Sequence, residues 1–384
     1  MEAVYLDNAA TTKPVDSIVE AVKPYIESEW YNPSAKYSKG SNVKKKIESV
    51  RADIAKEIST DSSEIYFTSG ATESNNWVIR GFVDQCKIEN KRPLIITSNI
   101  EHNSINKSIK SICKLYNVEH IYIPVNEDGM FNIDLLEFVL NSIKLRFYIR
   151  VLVSVGMGNN EIGTIQDIAS IANMVHDYNG VLHTDATQCF GHIPIDNQIL
   201  CADMISASAQ KFGGLKGIGF LYKKNSVEIQ PLIYGSQEQG QRGGTENVVG
   251  IVALGEAINQ IDYSKADKVK HLRNYMIEKL VKRLGCKVNG SISDRLPNNI
   301  NATFPQSVTG EALIYMLDMC NIYISSGSAC NAHSIKPSYV LQAIGLDDYE
   351  ISRTIRITLP DNINKEQIDK VVDEIEKQIQ VLTL

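Results

Sequence analysis

Short apolar runs rich in β-branched residues alternate, up to about residue 250, with stretches whose apolar positions recur every three to four residues. Residues 64–67, 94–97, 120–123, 148–155, 181–185, 204–207 and 218–222 read as strands, each a short Val/Ile/aromatic run bounded by polar or small residues. Helical periodicity falls between several of them, over 41–58, 73–85, 103–115 and 166–178. In the first of these helices Val43, Ile47, Val50 and Ile54 form the apolar stripe, which leaves the Lys44-Lys45-Lys46 run on a solvated face. The alternation predicts an α/β fold, with a large, mostly parallel sheet covered by helices on both faces. From about residue 263 the texture changes to a long charged amphipathic helix reaching 284, a strand over 299–304, a helix over 311–319 and a closing helix over 365–381. That part predicts a smaller α+β domain.

Composition narrows the picture. The 384 residues are enough for two domains, and 43% hydrophobic with 22% charged residues is the balance of a folded globular chain. A net charge of −6 gives no general attraction to nucleic acid or an anionic membrane, so neither is expected as a direct partner. No apolar run approaches the ~18 residues that span a bilayer. The start, Met1-Glu2-Ala3-Val4-Tyr5-Leu6-Asp7, lacks the basic-then-apolar pattern of a secretory signal, and a cytoplasmic location is expected. Seven cysteines, at 86, 113, 189, 201, 286, 320 and 330, are odd in number and scattered, which suits reduced thiols better than a disulfide framework. No Cys-x-x-Cys occurs, and Cys330 with His333 offers two ligands at most, so no resident metal is expected.

Three segments carry chemistry. Thr68-Ser69-Gly70-Ala71-Thr72-Glu73 follows a strand and opens a helix, where backbone N–H groups and the helix dipole favour an anion such as phosphate, although Thr72 would also serve as a plain N-cap. No P-loop lysine or Gly-x-Gly-x-x-Gly accompanies it, which counts against a nucleotide site. Asp185 ends an apolar strand, at the sheet edge where ligands of open α/β sheets sit, unless it merely caps the next turn. Its carboxylate there suits a protonated heterocyclic nitrogen. Lys211 closes a third strand within a small-residue loop, as a Schiff-base lysine requires, with Lys216 as a competitor. A phosphate cradle, an acid for a pyridinium nitrogen and a lysine for an aldehyde together specify pyridoxal 5'-phosphate.

With these segments in place the sequence resembles the NifS/IscS group of cysteine desulfurases, within the class-V aminotransferase family of fold-type I enzymes. The resemblance covers nearly the whole chain and includes Tyr5-Leu6-Asp7-Asn8-Ala9-Ala10-Thr11-Thr12, Asn32-Pro33-Ser34, the turn at 68–73, Glu101-His102, Asn159-Asn160-Glu161-Ile162-Gly163, Asp185-Ala186-Thr187-Gln188, Arg242-Gly243-Gly244-Thr245 and the segment 325–330 that ends in Cys330. It implies that Lys211 forms the Schiff base and moves a proton at Cα, with His102 stacked on the ring and assisting acid–base steps. Asp185 would bind the ring nitrogen and Gln188 the phenolic oxygen. Thr72, the amide of Ala71, Ser208 and Gln210 would hold the phosphate, with Thr245 arriving from the second subunit of a homodimer. Asn160 and Arg356 would bind the carboxylate of the substrate, L-cysteine.

Cys330 lies in a Gly/Ser/Ala stretch with little to bury, in a long loop over about 325–338, and is the expected nucleophile and carrier of the transferred sulfur. It is also a possible transient ligand of an iron–sulfur cluster. The implied division is an N-terminal segment, 1–15, packing with the small domain, a cofactor-binding domain over 16–262, and a small domain over 263–384 that carries the cysteine loop. The implied reaction converts L-cysteine to L-alanine and leaves a persulfide for a sulfur-acceptor protein, in iron–sulfur cluster assembly, tRNA thiolation or another thiolation such as DNA phosphorothioation. A selenocysteine lyase or another enzyme of the same fold is the alternative. Four positions depart from the group's usual pattern: Gln210 where His is usual, Tyr37 where His is common, and Tyr31 and Pro360 where Gly is usual.

Overall fold

The computed structural model describes residues 3–144, 146, 148–305, 307–326 and 337–383. After a two-residue strand β1 (Val4–Tyr5), the chain builds β2 (Ile65–Thr68), β3 (Arg92–Ser98), β4 (Glu119–Ile123), β5 (Ile149–Gly156), β6 (Val181–Asp185), β7 (Met204–Ser208) and β8 (Gly219–Lys223). The last seven form one sheet in the order β2-β8-β7-β6-β5-β3-β4, with β8 antiparallel to both its neighbours and every other pairing parallel. These are the seven strands the sequence predicts, shifted by a residue or two at their ends.

Their near-continuous apolar character follows from burial on both faces. Ile95, Leu152 and Leu221 pack under the helices Ala71–Ile88 and Asn103–Tyr116, against Trp77, Phe82 and Ile109. Ile96, Val153 and Phe220 face the opposite way, towards Ile54, Ile171 and Leu254 of the helices Ser38–Glu57, Ile168–Asp177 and Val248–Asn259. The last of these shows no helical period in sequence because it is apolar on nearly all sides, as a buried helix can be. Gly255 lets it close on Ser38–Glu57, since a Cβ there would lie 2.5 Å from Val50 Cγ2.

The second core gathers around β9 (Lys287–Val288), β10 (Asn299–Thr303), β11 (Ile322–Tyr323), β12 (Ser325–Ser326) and β13 (Thr354–Thr358). Four of these form an antiparallel sheet in the order β12-β13-β10-β9, packed under the helices Ser264–Leu284, Gly310–Asp318 and Lys365–Thr383. Val4 and Leu6 belong to this core, and β1 pairs in parallel with β11. The chain therefore starts in the second unit and crosses to the first.

One buried ion pair anchors the loop that follows β8. Arg51 Nη1 and Nη2 donate to the two carboxylate oxygens of Glu238, both at 2.8 Å, and the Phe67 backbone N–H donates to the same carboxylate at 2.9 Å. Glu238 and Gln239 both take left-handed backbone angles, φ 46° and 59°, so the pair holds a conformation the chain resists. Arg51→Met leaves Glu238 charged and unpaired and is expected to lower the unfolding free energy by about 3 to 5 kcal/mol in urea titration. Adding Glu238→Gln should recover a large part of the loss. Equal stability of Arg51→Met and wild type would contradict this.

Candidate active site

The carboxyl ends of the parallel strands β2, β3, β5, β6 and β7 surround a cavity of about 420 Å³, the place where open α/β sheets bind ligands. Ala71, Thr72, His102, Asn160, Asp185, Gln188, Ser208, Gln210, Lys211 and Arg356 all line it. Thr245 does not. It lines a neighbouring cavity of about 230 Å³ with Ser69, Glu238 and Arg242. Cys330 lies outside the described residues.

At the end of β2 the turn is set by Gly70, whose φ of 140° suits glycine alone, and a Cβ there would meet Ser208 Oγ at 3.2 Å. Gly70, and not Thr72, is the N-cap of Ala71–Ile88, and no side chain caps that end. The first-turn N–H groups are thus directed at an acceptor from elsewhere, with Thr72 and Ser208 hydroxyls beside them on the cavity wall. Arg242 braces the turn by donating from Nε (2.8 Å) and Nη2 (3.1 Å) to Glu73, whose carboxylate also accepts from the Ser69 N–H at 2.8 Å.

Asp185 ends β6 and accepts from Asn75 Nδ2 at 2.7 Å and from the Thr187 N–H at 3.0 Å. Two residues earlier, His183 sits between Ser154 Oγ and Ser206 Oγ, each 2.9 Å away, and burial lowers its pKa, which favours the neutral imidazole behind the carboxylate. Lys211 ends the short turn Ala209–Lys211 after β7, and its Nζ donates to the carbonyls of Ala9 and Ala10, both at 2.7 Å. Lys216 is exposed and does not line the cavity. Gln188 Nε2 donates to Ala9 O at 3.1 Å.

Arg356 stands in the middle of β13, only 1% exposed, which rules out a surface arginine. Its Nη2 donates to Asp7 Oδ1 at 2.7 Å and its Nη1 to the Asn160 carbonyl at 3.1 Å, while Nε has no hydrogen-bond partner among the described residues. Such an orphaned buried donor on a cavity wall suits an anionic ligand. Ser325 of β12 lies opposite Arg356 in register, so the chain enters residues 327–336 from the strand beside this arginine. It returns at Ser338 and Tyr339, which donate to Glu161 Oε2 and to the Glu101 carbonyl.

The donor set fits pyridoxal phosphate. An uncapped helix start with hydroxyls can take a phosphate, a buried carboxylate a ring nitrogen, and a lysine on the same wall an aldehyde. Residues 4–371 match the aminotransferase class-V family. The chain belongs to that family. A cysteine desulfurase IscS from Dictyoglomus turgidum is 39% identical, over 99% of this chain and 95% of that protein. Among solved structures, a NifS-like protein superposes with a TM-score of 0.88 at 31% identity, covering 99% of both chains. One described as SspA in complex with cysteine gives 0.81 at 34% identity, covering 93% of this chain and 99% of that one.

This class-V chain also carries two buried acids whose chemistry the sequence does not announce. Glu101 accepts from Ser98 Oγ and from the Gly156 N–H (2.8 Å), and burial raises its pKa to about 8. Burial likewise raises Glu161 to about 7. A carboxyl raised above its unfolded value of ~4.3 costs stability as it ionises, so that contribution is intact in acid and is lost as pH rises towards 8. Glu101→Gln mimics the protonated acid. Its melting temperature should fall less than that of wild type between about pH 5 and pH 9, and identical slopes would refute the assignment.

Proposed function

We propose that this class-V family member is a pyridoxal-phosphate cysteine desulfurase. It would convert L-cysteine to L-alanine and pass the sulfur on as a persulfide of Cys330. The observation that carries the reading is the meeting, in one cavity, of an uncapped helix start, a buried carboxylate, a lysine and a buried arginine. The desulfurase names of the full-length relatives agree with it.

When bound, the cofactor supplies an electron sink for the carbanion at Cα. Ala71, Thr72, Ser208, Gln210 and, from a second copy of the chain, Thr245 would hold its phosphate. Asp185 would pair with its ring nitrogen, Gln188 with its phenolic oxygen, and His102 would stack on its face. Arg356, with Asn160, fixes the substrate carboxylate, and the guanidinium fork gives two-point orientation. Lys211 would hold the cofactor aldehyde and then move the Cα proton, with His102 assisting in proton transfer. The Cys330 thiolate attacks the substrate sulfur. The S–S bond forms as the C–S bond breaks, and Cβ gains a proton to become the methyl of alanine.

None of the six described cysteines lines the cavity, and burial pushes the thiols of Cys86, Cys113, Cys189 and Cys286 above their ordinary range. This supports Cys330 as the acceptor of sulfur. The six are unpaired, which suits a reducing compartment, and we place the protein in the cytoplasm. No described helix is long and apolar enough to cross a membrane. The sulfur then passes to an acceptor protein serving iron–sulfur cluster assembly or a thiolation pathway.

Mass spectrometry after brief exposure to cysteine should find one added sulfur on the peptide containing Cys330. Sulfur on Cys320 or Cys189 instead would overturn the proposal. Lys211→Ala should lose the borohydride-reducible bond to the cofactor, whereas Cys330→Ser keeps it but releases no alanine. For the dimer, sedimentation should give twice the chain mass of 42.7 kDa. A fully active monomer would refute Thr245 as a shared residue.

A further inference from the structure

Two residues with no part in the scheme above connect the acid at the ring nitrogen to the imidazole over the ring. Asn75 lies in the second turn of Ala71–Ile88 and is fully buried. Both hydrogens of its Nδ2 are used, one to Asp185 Oδ2 at 2.7 Å and one to Ser104 Oγ at 2.8 Å. Asp185 fixes the orientation of the amide, because the flipped form would press a carbonyl oxygen against a carboxylate oxygen. In the orientation that results, Asn75 Oδ1 has no hydrogen-bond partner among the described residues. A buried acceptor left unsatisfied weakens the fold, so stability does not explain an asparagine here.

Ser104 extends the chain. Its Oγ accepts from Asn75 and lies 2.8 Å from His102 Nδ1, so its hydroxyl hydrogen is free to be donated to that nitrogen. The Ser104 backbone N–H, which cannot turn away, donates to the same nitrogen at 3.1 Å. An imidazole nitrogen that accepts two hydrogen bonds carries no proton, so the ring proton sits on Nε2.

We propose that Asn75, acting through Ser104, is a positioning residue that holds His102 as the neutral Nε2–H tautomer and locks it to the carboxylate of Asp185. The inference rests on the pyridoxal-phosphate reading for its meaning, since it makes His102 a proton donor at Nε2 and leaves Lys211 as the base at Cα. The charged groups facing the imidazole are Asp185 from β6, Lys211 from the turn after β7 and Lys107 from its own helix. Asp185 favours the protonated ring and the two lysines oppose it, and burial adds to their side. The donors on Nδ1 act in the same direction as burial, because protonation at that nitrogen would expel them.

The test is nitrogen NMR of ¹⁵N-histidine-labelled holoenzyme, with His102 identified among the seven histidines by the signal missing in His102→Gln. Wild type should show the Nε2–H tautomer across roughly pH 6 to 8. That measurement needs no variant in the relay, and finding Nδ1–H or imidazolium there would overturn the proposal. Ser104→Ala and Asn75→Ala should raise the His102 titration midpoint by about one pH unit, a tenfold change in protonation. Ser104→Thr should restore it, and the acid limb of the kcat profile should move with it while KM stays put. Unchanged midpoints in folded Ser104→Ala, with circular dichroism like that of wild type, would also overturn it. The same spectra of cofactor-free protein separate the two readings. A correct tautomer without turnover of cysteine would sink the desulfurase assignment and spare the relay, and normal turnover with the wrong tautomer would do the reverse.

Discussion

Residues 4–12 fasten the two cores together across the cavity, and the geometry of the site depends on them. Val4 and Leu6 are buried in the second core, and the next residues step into the cavity wall. Asp7 takes Arg356 Nη2, Asn8 Nδ2 donates to the Thr358 carbonyl, Ala9 and Ala10 accept from Lys211 Nζ, and the Thr12 N–H donates to the Gln210 carbonyl. Arg356 and Lys211 come from different cores, so their relation is fixed by this strap. Its anchors at Arg356 and Lys211 are charge-assisted hydrogen bonds, shorter and stronger than neutral ones. A second joint lies under Ile100 and Ile162, which pack on Val340 and Leu341.

The parallel sheet was legible because burial on both faces turns each strand into a short apolar run, which no amphipathic helix imitates. Helix Ile18–Glu27 escaped the pattern because Pro24 interrupts it, and Val248–Asn259 because an all-apolar helix has no stripe. For the site, residues placed at strand ends could be found from sequence, since the sheet converts the ends of β2, β6 and β7 into one wall. Asn75 could not. It lies inside a helix, where an asparagine gives no sign of which neighbour it serves, and its partners Ser104 and Asp185 are distant in sequence. Glu101 was visible as part of Glu101-His102, but its raised pKa comes from complete burial, a property of the packed fold.

The departures from the family pattern fall in three places. Tyr31 stacks on Trp30 at 4.8 Å between ring centroids and meets Tyr37 edge-on at 6.1 Å, so the two unusual tyrosines form one aromatic cluster before helix Ser38–Glu57. Each ring packs beside the next in geometries aromatic pairs prefer. Gln210 lines the cavity with an uncharged side chain, while its backbone carbonyl accepts from the N–H and hydroxyl of Thr12. Pro360 follows β13 and accepts from the Ile363 N–H. Nothing in the structure explains the proline itself.

With glutamine at position 210, the electrostatics of the cavity rest on fewer cations. Lys211 and Arg356 are set against Asp7 and Asp185, which leaves little spare positive charge for an anionic ligand. A further ionised acid on the cavity wall would repel one. Burial opposes ionisation of Glu101 there, raising its pKa to about 8. The uncapped first turn of Ala71–Ile88 then supplies the remaining attraction through N–H groups and the helix dipole, without a further side-chain charge. The same burial that packs Glu101 beside the strand ends thus favours an anionic ligand in a site with few cations.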